Sequence, residues 1–496
     1  MGYSAQTNGK AGGGYVAYGY INVSMGNRGK SLSTVDAEGK LYYCGDAPHC
    51  LVDQKACVRW LKYNIALGNL CGDAERMIST GGSGGGAHSL MLAATGNHSD
   101  FYPYLEEVGA IMSYTDADGN SVPISDAIWA CCPYSPITNL EEGNMAYEFE
   151  GGLARDDALL SRYSEFRQIL SNAEAEQYMD YVNNVLRLTW DMDGDGEREP
   201  LSIEYDAQSD TWSGSYIELM EQFAEEQLEW YLNNIPADEQ DWVYAYEGQS
   251  NAEAYLLGNY EGSGEMSGEP AADATDEAAI ANNEGYASEA GSGAKVGSGE
   301  DLSAWVSYTV DENGLYDVDF EYEDFMSYRG RGKTNPAFDD LDLGQAENQV
   351  FGDYDQDFKH WDVYVLNAMD AVYDELAAAY DGDSGYDSFE ELYAAYQSDI
   401  ETMLAGDKFG NNIVHLYNPV NYILDPETEQ PAWVHICHGT ADTDCSAFVA
   451  MNDGVAWDMM GVDSFFVWSW GDGHVAGDPV GTSMVAYIDA MVQAGK

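Results

Sequence analysis

Apolar and polar residues follow two different periods along the first part of the chain, and their order predicts a fold class. The run from Tyr15 to Met25 is rich in aromatic and β-branched residues, which predicts a strand. Residues Val52 to Leu67 carry apolar side chains at helical spacing. The segment Met77 to Thr80 predicts a second strand, and Ala87 to Ala94 predicts a helix beyond a glycine-rich turn. Strand, helix, strand, turn and helix in this order are typical of a parallel sheet flanked by helices.

The pattern changes in the middle of the chain and returns near its end. Residues 155–240 are acidic and favour helices. Residues 261–300 are so rich in Gly, Ser, Ala and Glu that we expect a flexible segment. Trp433 to Cys437 and Phe465 to Trp470 are short apolar runs that suit buried parallel strands.

These segments predict an α/β core that is split along the sequence. Residues 1–148 and 408–496 would form a mostly parallel sheet with flanking helices. Residues 149–407 would form a large, mainly helical inserted domain. We expect this insert to act as a lid, because insertions of this kind often cover active sites.

Composition and charge narrow the classes of partner. Hydrophobic residues make up 45% of the 496 positions, which is typical of a globular protein. The 87 acidic residues against 20 basic ones give a formal net charge of -67, which repels nucleic acid and anionic membranes. No run of about 18 uncharged apolar residues is present, so no transmembrane helix is expected. Nucleic acid and membranes are therefore not expected as partners.

The cysteines leave two interpretations open. An even count of eight permits disulfides, and Cys44 and Cys50 are the closest plausible pair. Buried free thiols are the alternative. Paired C-x-x-C motifs are absent, which argues against a structural zinc site.

A candidate nucleophile lies in the glycine-rich turn. The stretch from Gly81 to Gly85 fits the pattern G-x-S-x-G, with Ser83 between a predicted strand and a predicted helix. A serine at such a sharp turn needs very small neighbours, and the N–H of Gly84 can stabilise an oxyanion at the start of the helix. A phosphate-binding loop would need a following G-K-[S/T], which the sequence does not contain.

The base and the acid are expected in loops that follow late strands of the sheet. In α/β-hydrolases the order along the chain is Ser, then acid, then His. Asp442 follows the predicted strand ending at Cys437, and His474, 32 residues further on, follows the predicted strand ending at Trp470. Asp442 would orient His474, and His474 would activate Ser83. Asp444 and Asp472 compete with Asp442 for the acid role.

Several long stretches carry a resemblance to one family, and they span both ends of the chain as well as the insert. They are GNRGK at 26–30, VDQKACVRWLKYN, GDAERMISTGGSGGGAHSLMLAATGNHSDFYPYLEEVGA, CCPYSPITNLEEGNMAYEFE, KTNPAFDDLDLGQAENQVFGD, NPVNYIL, HGTADTDCS and WGDGHVAGD. In these stretches the chain resembles the subtype B bacterial tannases (tannin acyl hydrolases) and the related feruloyl esterases. The resemblance implies an α/β-hydrolase fold and a carboxylic ester hydrolase that acts on gallate esters without a cofactor.

The resemblance also implies a site for the galloyl ring. It assigns Lys333, Glu347 and Asp444 to the phenolic hydroxyls, which leaves Asp442 to orient His474. Phenolic hydroxyls are good donors to carboxylates, and a lysine suits their oxygens. Without the resemblance, Lys333 and Glu347 would be interpreted as a surface ion pair.

The chain departs from the family's pattern at its start. The family has earlier strands, and a glycine-rich loop after one of them supplies a second oxyanion donor. Gly12 to Gly14 precede a predicted strand and do not follow one. We therefore expect an incomplete N-terminus, which leaves open whether the protein is secreted or cytoplasmic. The missing strands favour one alternative, an inactive truncated homologue that acts as a binding module. A separate alternative is a feruloyl (hydroxycinnamoyl) or general aryl carboxylesterase.

A further local pattern concerns calcium. Asp191, Asp193 and Asp195 place carboxylates at alternate positions before a glycine, as at the start of a calcium loop. The twelfth position is Ser202, and Glu204 comes two residues too late to close the loop. A solvated acidic turn is the alternative interpretation.

Overall fold

A computed structural model of the chain describes residues 15–153, 163–234, 306–329, 332–440, 442–469, 473–475 and 484–496. Residues 12–14 and the low-complexity segment 261–300 lie outside these ranges, so the predictions made for them stay predictions. Among the described helices, none has both the length and the apolar character needed to cross a membrane.

The strands of the described residues form one parallel sheet and several short antiparallel hairpins. In chain order they are β1 (Ser33–Val35), β2 (Leu41–Tyr43), β3 (Ile78–Gly82), β4 (Ser113–Thr115), β5 (Ser121–Pro123), β6 (Ala130–Tyr134), β7 (Thr189–Trp190), β8 (Glu199–Pro200), β9 (Glu204–Asp206), β10 (Thr211–Ser213), β11 (Val306–Val310), β12 (Tyr316–Phe320), β13 (Trp433–Gly439) and β14 (Asp463–Ser469). The pairs β1–β2, β4–β5, β7–β8, β9–β10 and β11–β12 are the hairpins.

The central sheet has four strands in the order β14-β13-β6-β3, all parallel. Gly82 is level with Tyr134, and Gly439 is level with Ser469, so the strands end along one edge of the sheet. The strands predicted at Met77 to Thr80 and Trp433 to Cys437 are confirmed within two residues at each end. The strand predicted from Phe465 to Trp470 is observed from Asp463 to Ser469, and Trp470 lies outside the described residues.

The described helices cover the sheet and build the remaining layers. They are His49–Ala66, Gly84–Ala94, Tyr102–Glu107, Leu140–Leu153, Glu165–Tyr181, Ser215–Asn234, Tyr322–Arg329, Ala346–Val350, Val363–Ala371, Tyr373–Ala379, Phe389–Leu404, Ile413–Leu416, Pro419–Ile423, Ala447–Met459 and Met484–Gln493. Short 3-10 turns occur at Tyr15–Tyr18 and Ser99–Phe101, and a π-turn at Val182–Leu186.

Burial explains why these sequences form a covered parallel sheet. All seven residues of β13 are buried, and the helices Gly84–Ala94 and Ala447–Met459 are buried along almost their whole length. A strand without an exposed face has no need for alternating polar residues, which is why β13 is mostly apolar and lacks a regular polar alternation. The core therefore lies between the sheet and these two helices.

The strand predicted from Tyr15 to Met25 is wrong. The structure has a 3-10 turn at Tyr15–Tyr18, and no strand follows before β1. Val16, Ile21 and Val23 are exposed, with relative accessibilities of 50% or more. A segment rich in β-branched and aromatic residues forms a strand only beside another strand that pairs with its backbone N–H and C=O groups. The run from Tyr15 to Met25 pairs with no described strand.

The middle of the chain is more mixed than predicted. The helix expected at Tyr216 to Asn234 is confirmed as Ser215–Asn234, and Glu165–Tyr181 is another long helix. The hairpins β7–β8 and β9–β10 lie between these helices and were not predicted, because strands of two or three residues leave no periodic pattern.

All eight cysteines are free thiols, so the Cys44–Cys50 disulfide is absent.

A buried ionic cluster joins the first long helix to the sheet. Lys55 Nζ lies 2.8 Å from one carboxylate oxygen of Asp126, and Arg59 Nε donates to the other at 2.7 Å. All three side chains are almost fully buried. Because Asp126 lies just before β6, the cluster fixes the His49–Ala66 helix against the strand next to β3.

Candidate active site

Ser83 lies at a strained turn between β3 and the Gly84–Ala94 helix. Its backbone angles are φ 57° and ψ -127°, a conformation that side-chain-bearing residues rarely adopt. Its N–H donates to the carbonyl of Tyr134 on β6 at 3.0 Å, which holds the turn against the neighbouring strand. Strain of this kind typically costs about 1–3 kcal/mol and persists where the surroundings impose it.

The turn explains the small neighbours that the motif requires. A β-carbon at Gly81 would lie 2.5 Å from the carbonyl oxygen of Gly85, which is closer than real atoms approach. Gly84 is the first residue of the helix, so its N–H is one of the donors left without a partner inside the helix. The structure therefore presents Ser83 and an N–H donor at the positive end of a helix.

Asp442 and His474 meet at the same edge of the sheet. Asp442 is fully buried, and its Oδ2 and Oδ1 lie 3.0 and 3.2 Å from Nδ1 of His474. Burial alone would raise the pKa of Asp442, but the charge and hydrogen bond of His474 hold it well below its usual range. Because the carboxylate is ionised and can only accept, Nδ1 of His474 donates and Nε2 is left to act as a base.

The histidine loop contacts the strand that carries Ser83. A β-carbon at Gly82 would lie 2.2 Å from Cγ1 of Val475, the residue after His474. The described side chains of Ser83 and His474 are not hydrogen-bonded to each other in this conformation. Such bonds are often loose before substrate binds, so the contact through Val475 is the relationship that brings the two loops together.

Asp444 lies beside this pair. Its Oδ2 is 3.8 Å from Nδ1 of His474, and its side chain is 34% exposed where Asp442 is fully buried. One oxygen of each carboxylate and one ring nitrogen of His474 lie within 4.8 Å of one another. The difference in burial separates Asp442 from Asp444, because only Asp442 is inaccessible to a ligand. Asp472, the third candidate for the acid, lies outside the described residues.

Lys333 and Glu347 interact electrostatically with each other and with nearby charged residues. Glu347 is 2% exposed, and this burial raises the pKa of its carboxyl. The positive charges of Lys333 and Lys30 lower this pKa, and the negative charge of Asp444 raises it further. The ammonium of Lys333 also lies over the ring of Phe338, at 4.6 Å from its centroid. Lys333, Glu347 and Asp444 therefore act on one another, and the interpretation of Lys333 and Glu347 as a surface pair does not fit a buried Glu347.

The same charges act on the base. Burial alone would lower the pKa of His474, but Asp442, and to a smaller degree Asp444, raise it above its usual value. Lys333 acts in the opposite direction. The protonation of His474 thus depends on the residues assigned by resemblance to the phenolic ring.

One residue of this region escaped sequence reasoning. The phenol of Tyr147 accepts hydrogen bonds from the N–H groups of Gly332 and Lys333 and donates to the carbonyl of Thr443. Tyr147 is buried in the Leu140–Leu153 helix, and a lone buried tyrosine in a helix is normally interpreted as part of the core. No sequence signal distinguishes it.

The acidic turn at residues 191–195 is formed as a local structure. Carboxylate oxygens of Asp191, Asp193 and Asp195 lie within 4.8 Å of one another. Asp191 and Asp193 accept hydrogen bonds from the N–H of Asp195, and Asp191 also accepts one from Gly196. These bonds explain the turn without an ion, and the calcium hypothesis stays a prediction.

The parallel sheet with covering helices and the strand–serine–helix turn define an α/β fold. The solved structures to which the chain is similar are bacterial tannases, which are α/β-hydrolases, so the resemblance noted in the sequence is confirmed for the fold.

The likeness covers nearly the whole chain at low sequence identity. The tannase of Fusobacterium nucleatum is 23% identical, and the match covers 95% of this chain and 76% of that one with a TM-score of 0.59. A tannase from Lactobacillus plantarum is 22% identical, with 94% and 76% covered and a TM-score of 0.59. A tannin acyl hydrolase in complex with ethyl gallate is 23% identical, with 94% and 75% covered and a TM-score of 0.57. No protein-family model and no curated protein matches the chain.

Proposed function

We propose that the protein is a serine esterase that hydrolyses gallate-type esters through Ser83, His474 and Asp442. The observation that carries the proposal is the hydrogen-bonded pair of His474 and the buried Asp442, whose loop contacts the strand ending at the strained Ser83. A buried carboxylate that orients a histidine beside a serine at a strand-to-helix turn is the arrangement that activates a hydroxyl for acyl transfer.

In the proposed mechanism, Nε2 of His474 takes the proton of the Ser83 hydroxyl as its oxygen attacks the ester carbonyl. The N–H of Gly84 stabilises the oxyanion of the tetrahedral intermediate. The intermediate collapses as His474 returns the proton to the departing alcohol, which leaves an acyl-enzyme. Water, deprotonated by His474, then releases the acid and restores Ser83. None of these steps requires a cofactor.

Lys333, Glu347 and Asp444 are proposed to bind the phenolic hydroxyls of the acyl group. Carboxylates accept hydrogen bonds from phenols, and an ammonium stabilises partial negative charge on the phenolic oxygens. Two similar tannin acyl hydrolase structures are complexes with ethyl gallate and with 3,4-dihydroxybenzoate, an aromatic ester and an aromatic acid that carry such hydroxyls. A small phenolic ester is therefore the proposed partner.

We further propose that residues 149–407 form an inserted lid and that residues 1–148 and 408–496 form the core. The central sheet supports this division, because its strands come from residues 78–134 and 433–469. Lys333 and Glu347 both belong to the insert, so the proposed lid supplies side chains to the phenol site.

A fluorophosphonate probe together with two esters tests the function. The probe should label Ser83 in the folded wild-type protein, and Ser83→Ala should abolish both labelling and hydrolysis of methyl gallate. If the folded wild-type protein is not labelled, the nucleophile is not functional and the protein is a binding module.

A second comparison tests the substrate class. Lys333→Ala should lower kcat/KM for methyl gallate by about tenfold or more, since a buried polar site discriminates strongly against a ligand it cannot pair with. Hydrolysis of methyl ferulate, which lacks the full set of ring hydroxyls, should change less. An equal loss of kcat/KM for both esters would contradict the assignment of Lys333 to the galloyl ring and favour a feruloyl or general aryl esterase.

A further inference from the structure

The main chain of Lys333 is held by two tyrosine phenols. Its N–H donates to the oxygen of Tyr147 at 3.0 Å, and its carbonyl accepts from the phenol of Tyr163 at 2.7 Å. The N–H of Gly332 also donates to Tyr147, at 3.1 Å. A segment outside regular secondary structure depends on such side-chain partners for its backbone groups, so these phenols set the position of residue 333.

The phenol of Tyr147 joins this segment to the loop of the catalytic acid. The hydroxyl that accepts from residues 332 and 333 donates to the carbonyl of Thr443 at 2.5 Å. Thr443 lies between Asp442, which orients the base, and Asp444, which is assigned to the ring hydroxyls. One oxygen atom therefore bridges the peptide before Lys333 and the peptide between the two acids.

The two segments also touch directly. A β-carbon at Gly332 would lie 2.6 Å from Oγ1 of Thr443, so only glycine permits this approach. The hydrogen bonds of Tyr147 thus act where the two segments approach each other closely.

The helix that carries Tyr147 also positions the Phe338 ring, which lies beneath the ammonium of Lys333. Asn144, one turn earlier, accepts through Oδ1 from the N–H of Phe338 at 2.7 Å. The ring of Tyr147 packs edge-on against Phe338 at 6.1 Å between centroids, and Nζ of Lys333 lies 4.6 Å above the Phe338 ring. Asn144 and Tyr147 therefore hold both ends of the turn that presents Lys333.

We infer that Tyr147 is a positioning residue for substrate selectivity: it locks Lys333 to the Asp442–Asp444 loop so that the ammonium and the Asp444 carboxylate meet the ring hydroxyls of the acyl group together. The inference rests on the proposed function, because it assumes that Lys333 and Asp444 bind those hydroxyls. It adds a residue that need not touch the substrate and acts only through the two segments it joins.

Tyr147→Phe tests the inference, with Tyr178→Phe as the matched control. Tyr178 is also a buried tyrosine with a bonded hydroxyl, paired to Tyr216 at 2.7 Å and to Asn452 at 3.1 Å, away from residues 332–333 and 442–444. In Tyr147→Phe, kcat/KM for methyl gallate should fall about tenfold, mainly through KM, because the three hydrogen bonds that fix Lys333 relative to residues 442–444 are lost. Methyl benzoate, which has no ring hydroxyls, should change less than about twofold, because Asp442 keeps its own hydrogen bonds to His474 and to the N–H of Asp444 in this variant. Tyr178→Phe should leave the ratio of the two esters at its wild-type value.

Amide hydrogen exchange gives a readout that needs no substrate. The peptide covering residues 332–338 should exchange faster in Tyr147→Phe and at the wild-type rate in Tyr178→Phe. Tyr163→Phe, which frees the carbonyl of Lys333, serves as a second variant and should change exchange and selectivity in the same direction. An unchanged exchange rate, or an unchanged ratio of methyl gallate to methyl benzoate, overturns the inference.

The outcomes separate this inference from the function on which it rests. If the wild-type protein prefers methyl gallate and Lys333→Ala removes the preference, the proposed function stands. If the ratio of methyl gallate to methyl benzoate hydrolysis is then unaltered in Tyr147→Phe, only the role of Tyr147 is refuted. If the wild-type protein is labelled by the probe but hydrolyses methyl gallate no better than methyl benzoate, the galloyl site and the selectivity role both fall.

Discussion

The main-chain N–H of Asp444 donates to Oδ1 of Asp442 at 2.8 Å, so the two carboxylates of this loop are fixed relative to each other. Asp442 is buried and lies 3.0 Å from Nδ1 of His474, while the nearest oxygen of Asp444 is 3.8 Å from the same nitrogen and its side chain is partly exposed. The two acids therefore differ in burial and in their distance from His474. This difference fits the proposal that Asp442 orients the base and that Asp444 binds the ligand.

Replacement of the buried acid should remove the activity of the base. Asp442→Asn keeps the shape of the side chain, but the asparagine amide can donate to Nδ1 of His474. This favours the tautomer with its proton on Nε2, which cannot accept the proton of Ser83. We expect kcat for methyl benzoate to fall by about 10⁴-fold, the size of effect known for the loss of such a carboxylate. Asp444→Asn should reduce kcat for the same ester by less than tenfold, and a larger loss in Asp444→Asn than in Asp442→Asn would reverse the two assignments.

The pH dependence of the reaction should report the charges around His474. The base acts in its neutral form, so kcat/KM rises as pH passes the pKa of His474, which its acidic neighbours raise above the usual 6.5. Asp444→Asn removes one raising charge and should move this acidic limb to lower pH. Lys333→Ala removes a lowering charge and should move it to higher pH. The measurement is kcat/KM for methyl benzoate against pH, and shifts of the same sign in both variants would contradict the arrangement.

The contact between the nucleophile strand and the histidine loop can be tested by a single methyl group. In Gly82→Ala the new β-carbon meets Cγ1 of Val475 at 2.2 Å, so the loop carrying His474 must move. We expect kcat/KM to fall by about 10²-fold, because misplacement by about 1 Å has effects of that size.

Two further variants control this experiment. Gly152→Ala places its β-carbon 4.0 Å from the nearest atom, Ala175 Cβ, and should leave the rate unchanged. Val475→Ala combined with Gly82→Ala removes both γ-carbons and should restore part of the lost rate. Without any restoration in the double variant, the loss would have to come from the Ser83 turn itself.

The buried cluster of Asp126, Lys55 and Arg59 should dominate the stability of this end of the sheet. Asp126→Ala leaves two buried cations without their carboxylate, and the free energy of unfolding should fall by about 3–5 kcal/mol. The exposed pair of Lys408 and Glu107 provides the comparison, with side chains 51% and 44% accessible. Glu107→Ala should cost less than about 1 kcal/mol, as is usual for surface pairs. Urea denaturation of the two variants measures both values, and similar losses would contradict the role of the cluster.

Several parts of the fold and site follow from the amino-acid sequence because their signals are local. The strand–glycine–serine–helix turn at Ser83 has its own conformational requirement, and the buried strands β13 and β14 are compact apolar runs that can be placed without knowledge of their neighbours. The loops after these strands then fall at one edge of the sheet, which is why Asp442 and His474 could be paired in advance. The low-complexity segment and the division into core and lid stay predictions.

Tertiary structure decided what depends on partners distant in the sequence. The run from Tyr15 to Met25 has a strand's composition but no neighbouring strand to accept its hydrogen bonds, and it forms none. Burial, which separates Asp442 from Asp444, cannot be computed from a motif in which both acids stand two residues apart. Tyr147 has no distinguishing sequence signal, because its role comes from contacts with residues 185 and more positions away. Local sequence determines which conformations each segment prefers, whereas the choice of partner for each polar atom is made only when the distant segments pack together.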